Sequence, residues 1–161
     1  MAAATLVFGW GNPSRGDDAL GPLFIERFEA LAAGHPEWGN IECLTDFQLQ
    51  VEHTLDLQGR QRILFVDASA DLEAPCRLTP VLPRRDDSFT SHALSPQALL
   101  HAYREVEGVE PPPATLLAIR GDLFELGAPL SPSATQSLET ALSEAGRWLA
   151  DQTGAAPPAA C

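Results

Sequence analysis

Three places in the chain carry residues whose types and spacing suit chemistry. The first is Gly9-Trp10-Gly11-Asn12-Pro13-Ser14-Arg15-Gly16-Asp17-Asp18, a glycine-rich segment closed by two adjacent acids. The second is Asp67, which ends the apolar run Ile63-Leu64-Phe65-Val66. The third is His92, in a polar stretch just ahead of Ser95-Pro96. Gly9 and Gly11 permit tight turns and the close approach of backbone to a ligand. The segment is not a dinucleotide fingerprint, because Ser14 stands where a third glycine or an alanine is required, and no Gly-Lys-Ser/Thr follows to make a phosphate loop. Two acids at a helix entry also oppose an anionic ligand there. One acid suffices to cap the helix, and that role is assigned to Asp17, which leaves Asp18 for a ligand.

Asp18, Asp67 and His92 together offer two carboxylates and one imidazole. That set suits a borderline divalent metal such as nickel or zinc, and three ligands leave coordination positions open. Each residue also has a plainer reading: Asp67 as an acid bonded to a neighbouring turn, His92 as a solvated loop histidine. His35, His53 and His101 read as surface or internally satisfied side chains, and Cys43 as a small buried strand residue. The sequence has no H-E-x-x-H and no G-x-S-x-G, which argues against the common zinc proteases and serine hydrolases.

These residues need elements to bring them together. Leu6-Val7-Phe8 reads as a buried strand stopping at Gly9. Leu20, Leu23, Phe24, Phe28 and Leu31 recur at steps of three and four, one face of a helix ended by Gly34 and Pro36. A second strand covers 41–44. A polar helical stretch follows, with Val51 and Leu55 on its apolar face. Residues 62–67 form the clearest strand, apolar enough for a central position. Residues 77–82 make another, and the link before it is too short for a crossover helix, so it is expected antiparallel. Ser95-Pro96 and Ser131-Pro132 start helices, serine capping and proline fitting the first turn. Residues 115–119 are the last strand. In open α/β sheets, ligands bind beyond the carboxyl ends of strands, where Asp18 and Asp67 fall. The sum is an α/β sandwich on a mostly parallel sheet.

Composition narrows the partners. The chain has 161 residues, a length suited to one domain, with 45% hydrophobic residues and 20% charged. Ten basic against 22 acidic residues give a net charge of −12, which disfavours nucleic acid or an anionic membrane as partner. No apolar run approaches a membrane span, and the first nine residues lack the basic region of a secretory signal. Three cysteines without a C-x-x-C indicate neither a disulfide framework nor a thiolate zinc site, so a cytoplasmic location is expected.

Gly9-x-Gly11-Asn12 followed by Gly16-Asp17-Asp18-Ala19-Leu20-Gly21 closely resembles the opening of the hydrogenase maturation proteases, which trim the large subunit of nickel–iron hydrogenases. The similarity continues in order through Asp46, Val66-Asp67-Ala68, Ser91-His92-Ala93-Leu94-Ser95-Pro96, Gly121, Leu126-Gly127 and Leu130-Ser131-Pro132. The resemblance implies a three-layer α/β/α sandwich on a five-stranded, mostly parallel mixed sheet with the fourth strand antiparallel. Residues 1–153 are expected to form a single α/β protease domain, and residues 154–161, alanine and proline without periodicity, a disordered tail.

It also implies that Asp18, Asp67 and His92 are both the metal site and the catalytic group. Asp46, Gly11 and Asn12 are then expected to contact substrate. The partner implied is a hydrogenase large-subunit precursor, and the metal is nickel carried by that substrate, with no organic cofactor. The protein itself is expected to be a monomer. One departure stands out: many members carry glycines after the aspartate matching Asp46, where this chain has Phe47-Gln48-Leu49-Gln50. That suggests another hydrogenase subgroup, with a lean toward the soluble NAD-linked type. Two alternatives use the same ligands: a metal-sensing chaperone that docks on the large subunit without cutting, and a small-molecule hydrolase with its own metal. Asp46 has an alternative too, as the cap of the helix containing Val51 and Leu55.

Overall fold

The computed structural model describes residues 2–85 and 94–151. His92 and residues 154–161 therefore lie outside the described residues. Five strands form one sheet: β1 (Thr5–Trp10), β2 (Ile41–Asp46), β3 (Arg62–Ser69), β4 (Cys76–Val81) and β5 (Ala114–Arg120). Their order is β2-β1-β3-β5-β4. All pairs are parallel except β4 with β5, which is antiparallel. The expectations of a central 62–67 strand and a reversed fourth strand are both met. The β3–β4 link, residues 70–75, leaves no room for a crossover. β4 lies at the edge of the sheet, where Pro80, lacking an N–H, is tolerated.

Three helices cover the two faces: α1 (Leu20–Ala33), α2 (Pro96–Glu107) and α3 (Pro132–Ala150). Alternation along the parallel strands decides which residue faces which layer. Val7, Leu64, Val66, Leu117 and Ile119 pack with Phe24 and Phe28 of α1 and with Leu138, Leu142 and Trp148 of α3. Leu6, Phe8, Trp10, Ile63 and Phe65 face the other way, onto Leu99, Leu100 and Tyr103 of α2 and onto Leu49 and Leu57. This is the three-layer sandwich. Ser95 and Ser131 cap α2 and α3 as expected, their hydroxyls accepting from Ala98 N (3.1 Å) and Ala134 N (3.2 Å). Each cap is worth about 1 kcal/mol.

α1 lies very close to β1. A Cβ on Gly21 would sit 2.1 Å from the Trp10 carbonyl oxygen, so only glycine lets the helix approach the strand that carries the glycine-rich segment. Among the described residues, no helix is long and apolar enough to cross a membrane.

One element differs from expectation. The stretch after β2 is a 3-10 helix, Val51–Leu57, and it buries Thr54 and Leu57. Val51 and Leu55 are exposed, at 51% and 66%. With three residues per turn, Thr54 and Leu57 share a face at i and i+3 and Leu55 falls off it, while Val51, on the same face one turn earlier, is exposed at the helix start.

Candidate functional site

The carboxyl ends of β1, β2 and β3 carry the candidate residues. Trp10 pairs with Asp46, and Gly9 pairs with Val66, so Trp10 is level with Asp67 in the sheet. Asp46, Trp10 and Asp67 thus form one row across three strands. Two backbone contacts fold the glycine-rich segment over this row. The Gly11 amide donates to the Asp46 carbonyl (3.1 Å), and the Asn12 amide donates to Asp18 Oδ2 (2.8 Å). Gly11 has φ +149°, and a Cβ there would lie 2.0 Å from the Asp18 carbonyl oxygen. Glycine is thus what brings the segment against Asp18. Asn12 also closes the loop on itself: its Oδ1 accepts from Ser14 N (2.9 Å) and its carbonyl from Arg15 N (3.1 Å).

Asp67 is a partly buried carboxyl. Burial, reinforced by the charge of Asp18, pushes it up to about 7, and the Ala68 amide opposes this. Asp18 and Asp67 are therefore close enough to sense each other as like charges. Among the described residues, no three of His, Cys, Asp and Glu group to hold a metal. Asp18 and Asp67 are two of the three expected ligands, and His92 lies outside the described residues.

Asp17 does not cap a helix. Its carboxylate, fully buried, accepts four hydrogen bonds from the loop between β5 and α3. Oδ2 takes the amides of Asp122 (2.7 Å) and Leu123 (3.0 Å) and the Ser131 hydroxyl (2.6 Å), and Oδ1 takes the Ser131 amide (2.7 Å). Burial would raise its pKa. The Ser131 hydroxyl, then the amides of Ser131, Asp122 and Leu123, outweigh that and hold it below the ordinary carboxylate range. No side chain caps α1 or the short 3-10 turn Gly16–Ala19 before it.

Asp46 does not cap a helix either. At the start of the 3-10 helix Val51–Leu57 the His53 ring accepts from the Gln50 amide (2.8 Å), and the His53 amide donates to the Gln50 carbonyl (2.9 Å). Asp46 Oδ1 accepts from the Phe47 amide (2.7 Å), and Oδ2 accepts from His53 Nε2 (3.1 Å). His53 is satisfied, as expected, but its partner at the sheet edge was not legible in the sequence: a gap of seven residues matches no regular period. Cys43 has its thiol pushed up to about 12 by burial, then by Glu29 and Glu42, so it is not a nucleophile.

No family model matches the chain, and no curated protein matches it. Solved structures do. A nickel–iron hydrogenase maturation protease, HycI, from Thermococcus kodakarensis superposes with a TM-score of 0.71 at 19% identity, over 91% of this chain and 93% of that one. The hydrogenase maturating endopeptidase HybD from E. coli gives 0.65 at 22% identity, over 90% of each chain. A hydrogenase 2 maturation peptidase from a Thaumarchaeota archaeon gives 0.63 at 20% identity, over 91% and 97%. This chain has the fold of those proteins across nearly its whole described length.

Proposed function

We propose that this protein is an endopeptidase that removes the C-terminal extension of a nickel–iron hydrogenase large-subunit precursor after nickel insertion. The observation that carries the reading is the Asp18–Asp67 carboxylate pair at the carboxyl edge of a sheet whose fold is shared with hydrogenase maturation proteases. In this reading Asp18, Asp67 and His92 take up open positions on nickel that the precursor already carries. The nickel belongs to the substrate, so the protein needs no metal of its own. Recognition and positioning become one event: only a loaded precursor gains the three contacts, and those contacts hold its C-terminal segment beside the two carboxylates.

Nickel held by these residues would supply Lewis-acid chemistry, polarising the scissile carbonyl or activating water. The chain's own contribution is to hold the ligands. Asp18 is aimed by the Asn12 amide, and Asp67 is fixed at the end of the central strand. Asp18 and Asp67 are the groups placed to move the proton. The same reading carries a cytoplasmic setting, a monomeric protein and a soluble NAD-linked hydrogenase as host.

The test is incubation of the protein with large-subunit precursor, with and without nickel loading, followed by intact-mass measurement. Loss of one C-terminal peptide from the loaded precursor alone is the expected result. Tight association without any mass change would replace the endopeptidase with a docking chaperone. Stoichiometric metal that survives chelation of the purified protein would point to a hydrolase with its own metal centre.

A further inference from the structure

His53 lies outside the pair just described, yet its ring is held from three sides. The Gln50 amide donates to Nδ1 (2.8 Å), Nε2 lies 3.1 Å from Asp46 Oδ2, and the ring meets buried Phe8 edge-on at 4.7 Å. An amide can only donate, so Nδ1 is the acceptor and the neutral ring carries its proton on Nε2. The single donor of this ring is therefore spent on Asp46. The His53 side chain is 12% exposed and the Asp46 side chain 38% exposed. A pair whose acid faces solvent adds little to stability, so the consequence of the contact is orientation.

Each Asp46 oxygen accepts one intramolecular hydrogen bond and keeps a second acceptor site. Asp46 stands in the row of Trp10 and Asp67, two strands from Asp67. At about 4.8 Å per strand the separation is about 10 Å, which an extended peptide covers in about three residues. We propose that His53 is a positioning residue: it fixes the Asp46 carboxylate as acceptor for a backbone amide of an extended substrate segment, about three residues from the bond cut. The inference rests on the endopeptidase reading above and names how that site selects an extended chain.

The experiment is the rate of cleavage of nickel-loaded precursor against precursor concentration, for the parent, His53→Phe, His53→Gln, Asp46→Ala and the double variant Asp46→Ala/His53→Phe. Phenylalanine keeps the ring against Phe8 and removes the donor, whereas glutamine keeps a donor. His53→Phe is expected to raise KM about tenfold with kcat within about twofold, the scale of one lost orienting hydrogen bond. His53→Gln is expected to return KM to within about threefold of the parent. His53→Phe should add nothing in the Asp46→Ala background, because it acts through Asp46. An unchanged KM in His53→Phe, or an equal rise in the Asp46→Ala background, overturns the inference and leaves the endopeptidase reading standing. Absence of cleavage by the parent removes both. Should His53→Phe fail to fold, His53→Met against His53→Gln poses the same contrast, with the same two outcomes.

Discussion

The Asp17 carboxylate accepts four hydrogen bonds from Asp122, Leu123 and Ser131 and is held below the ordinary range, while the Asp67 carboxyl has the Ala68 amide beside it and rises to about 7. Asp17 is fully buried and Asp67 partly buried, both at the carboxyl edge of the same sheet. The difference is in donors. A buried carboxylate with a full set of donors is a structural fastener, here tying the start of α1 to the start of α3. A partly buried carboxyl short of donors and facing the like charge of Asp18 is a cost to the fold, and such costs persist where a ligand relieves them. The two regions thus teach that donor supply, more than burial, separates scaffold from site.

The largest expected effect falls on the site side. Asp18→Asn and His92→Ala should each lower precursor cleavage by about a thousandfold or more, in line with removing a group that meets the reacting centre. Both should melt like the parent; Asp18 belongs to neither core cluster. Cleavage near the parent rate by either variant breaks the site assignment.

Next comes the fastener. Asp17→Ala strands buried donors of the β5–α3 loop and should cost about 4 kcal/mol, read by urea unfolding. The sign of its pH dependence follows from its lowered pKa. The stability it contributes is present above about pH 4, the unfolded range, and is lost as the pH falls through the lower folded value. A variant as stable as the parent at pH 7 would remove the distinction between the two carboxylates.

Asp67→Asn should move the other way. A raised folded pKa means the native state binds the proton more tightly, so the penalty is absent below about pH 4 and grows until about pH 7. The variant is expected to gain about 2–4 kcal/mol over the parent at pH 8, to match it at pH 4, and to lose cleavage. A gain independent of pH would mean that something other than ionisation is relieved.

The smallest effect separates two residues on the β2–β3 connection. Gln50→Ala keeps the backbone amide and carbonyl that meet His53 and should leave both the melting temperature and cleavage unchanged. Asp46→Ala should keep the melting temperature and process precursor poorly, since the Asp46 side chain is itself 38% exposed and such a pair adds little to stability. The reverse pattern would return Asp46 to the scaffold.

Much of this molecule was written in local sequence. The apolar runs that become β1 and β3, the Ser-Pro starts of α2 and α3, and the short link that forces β4 to reverse all depend on neighbours within a few residues, so period and turn chemistry reveal them. The same locality places Asp46 at the end of β2, Asp67 near the end of β3 and Asp18 in the turn that follows β1, all at one sheet edge. The roles of the acids were not legible in that way. Asp17 and Asp18 look interchangeable in sequence, and the capping rule chose a local partner for Asp17. Its real donors come from 105 to 114 residues away, and only the docking of the β5–α3 loop supplies them. The His53–Asp46 contact likewise follows from a 3-10 helix folding back on the edge of β2. Sequence thus determined which elements form and where their ends lie. Tertiary structure decided which carboxylate is satisfied and which is left to act, because hydrogen-bond donors are counted in space and not along the chain.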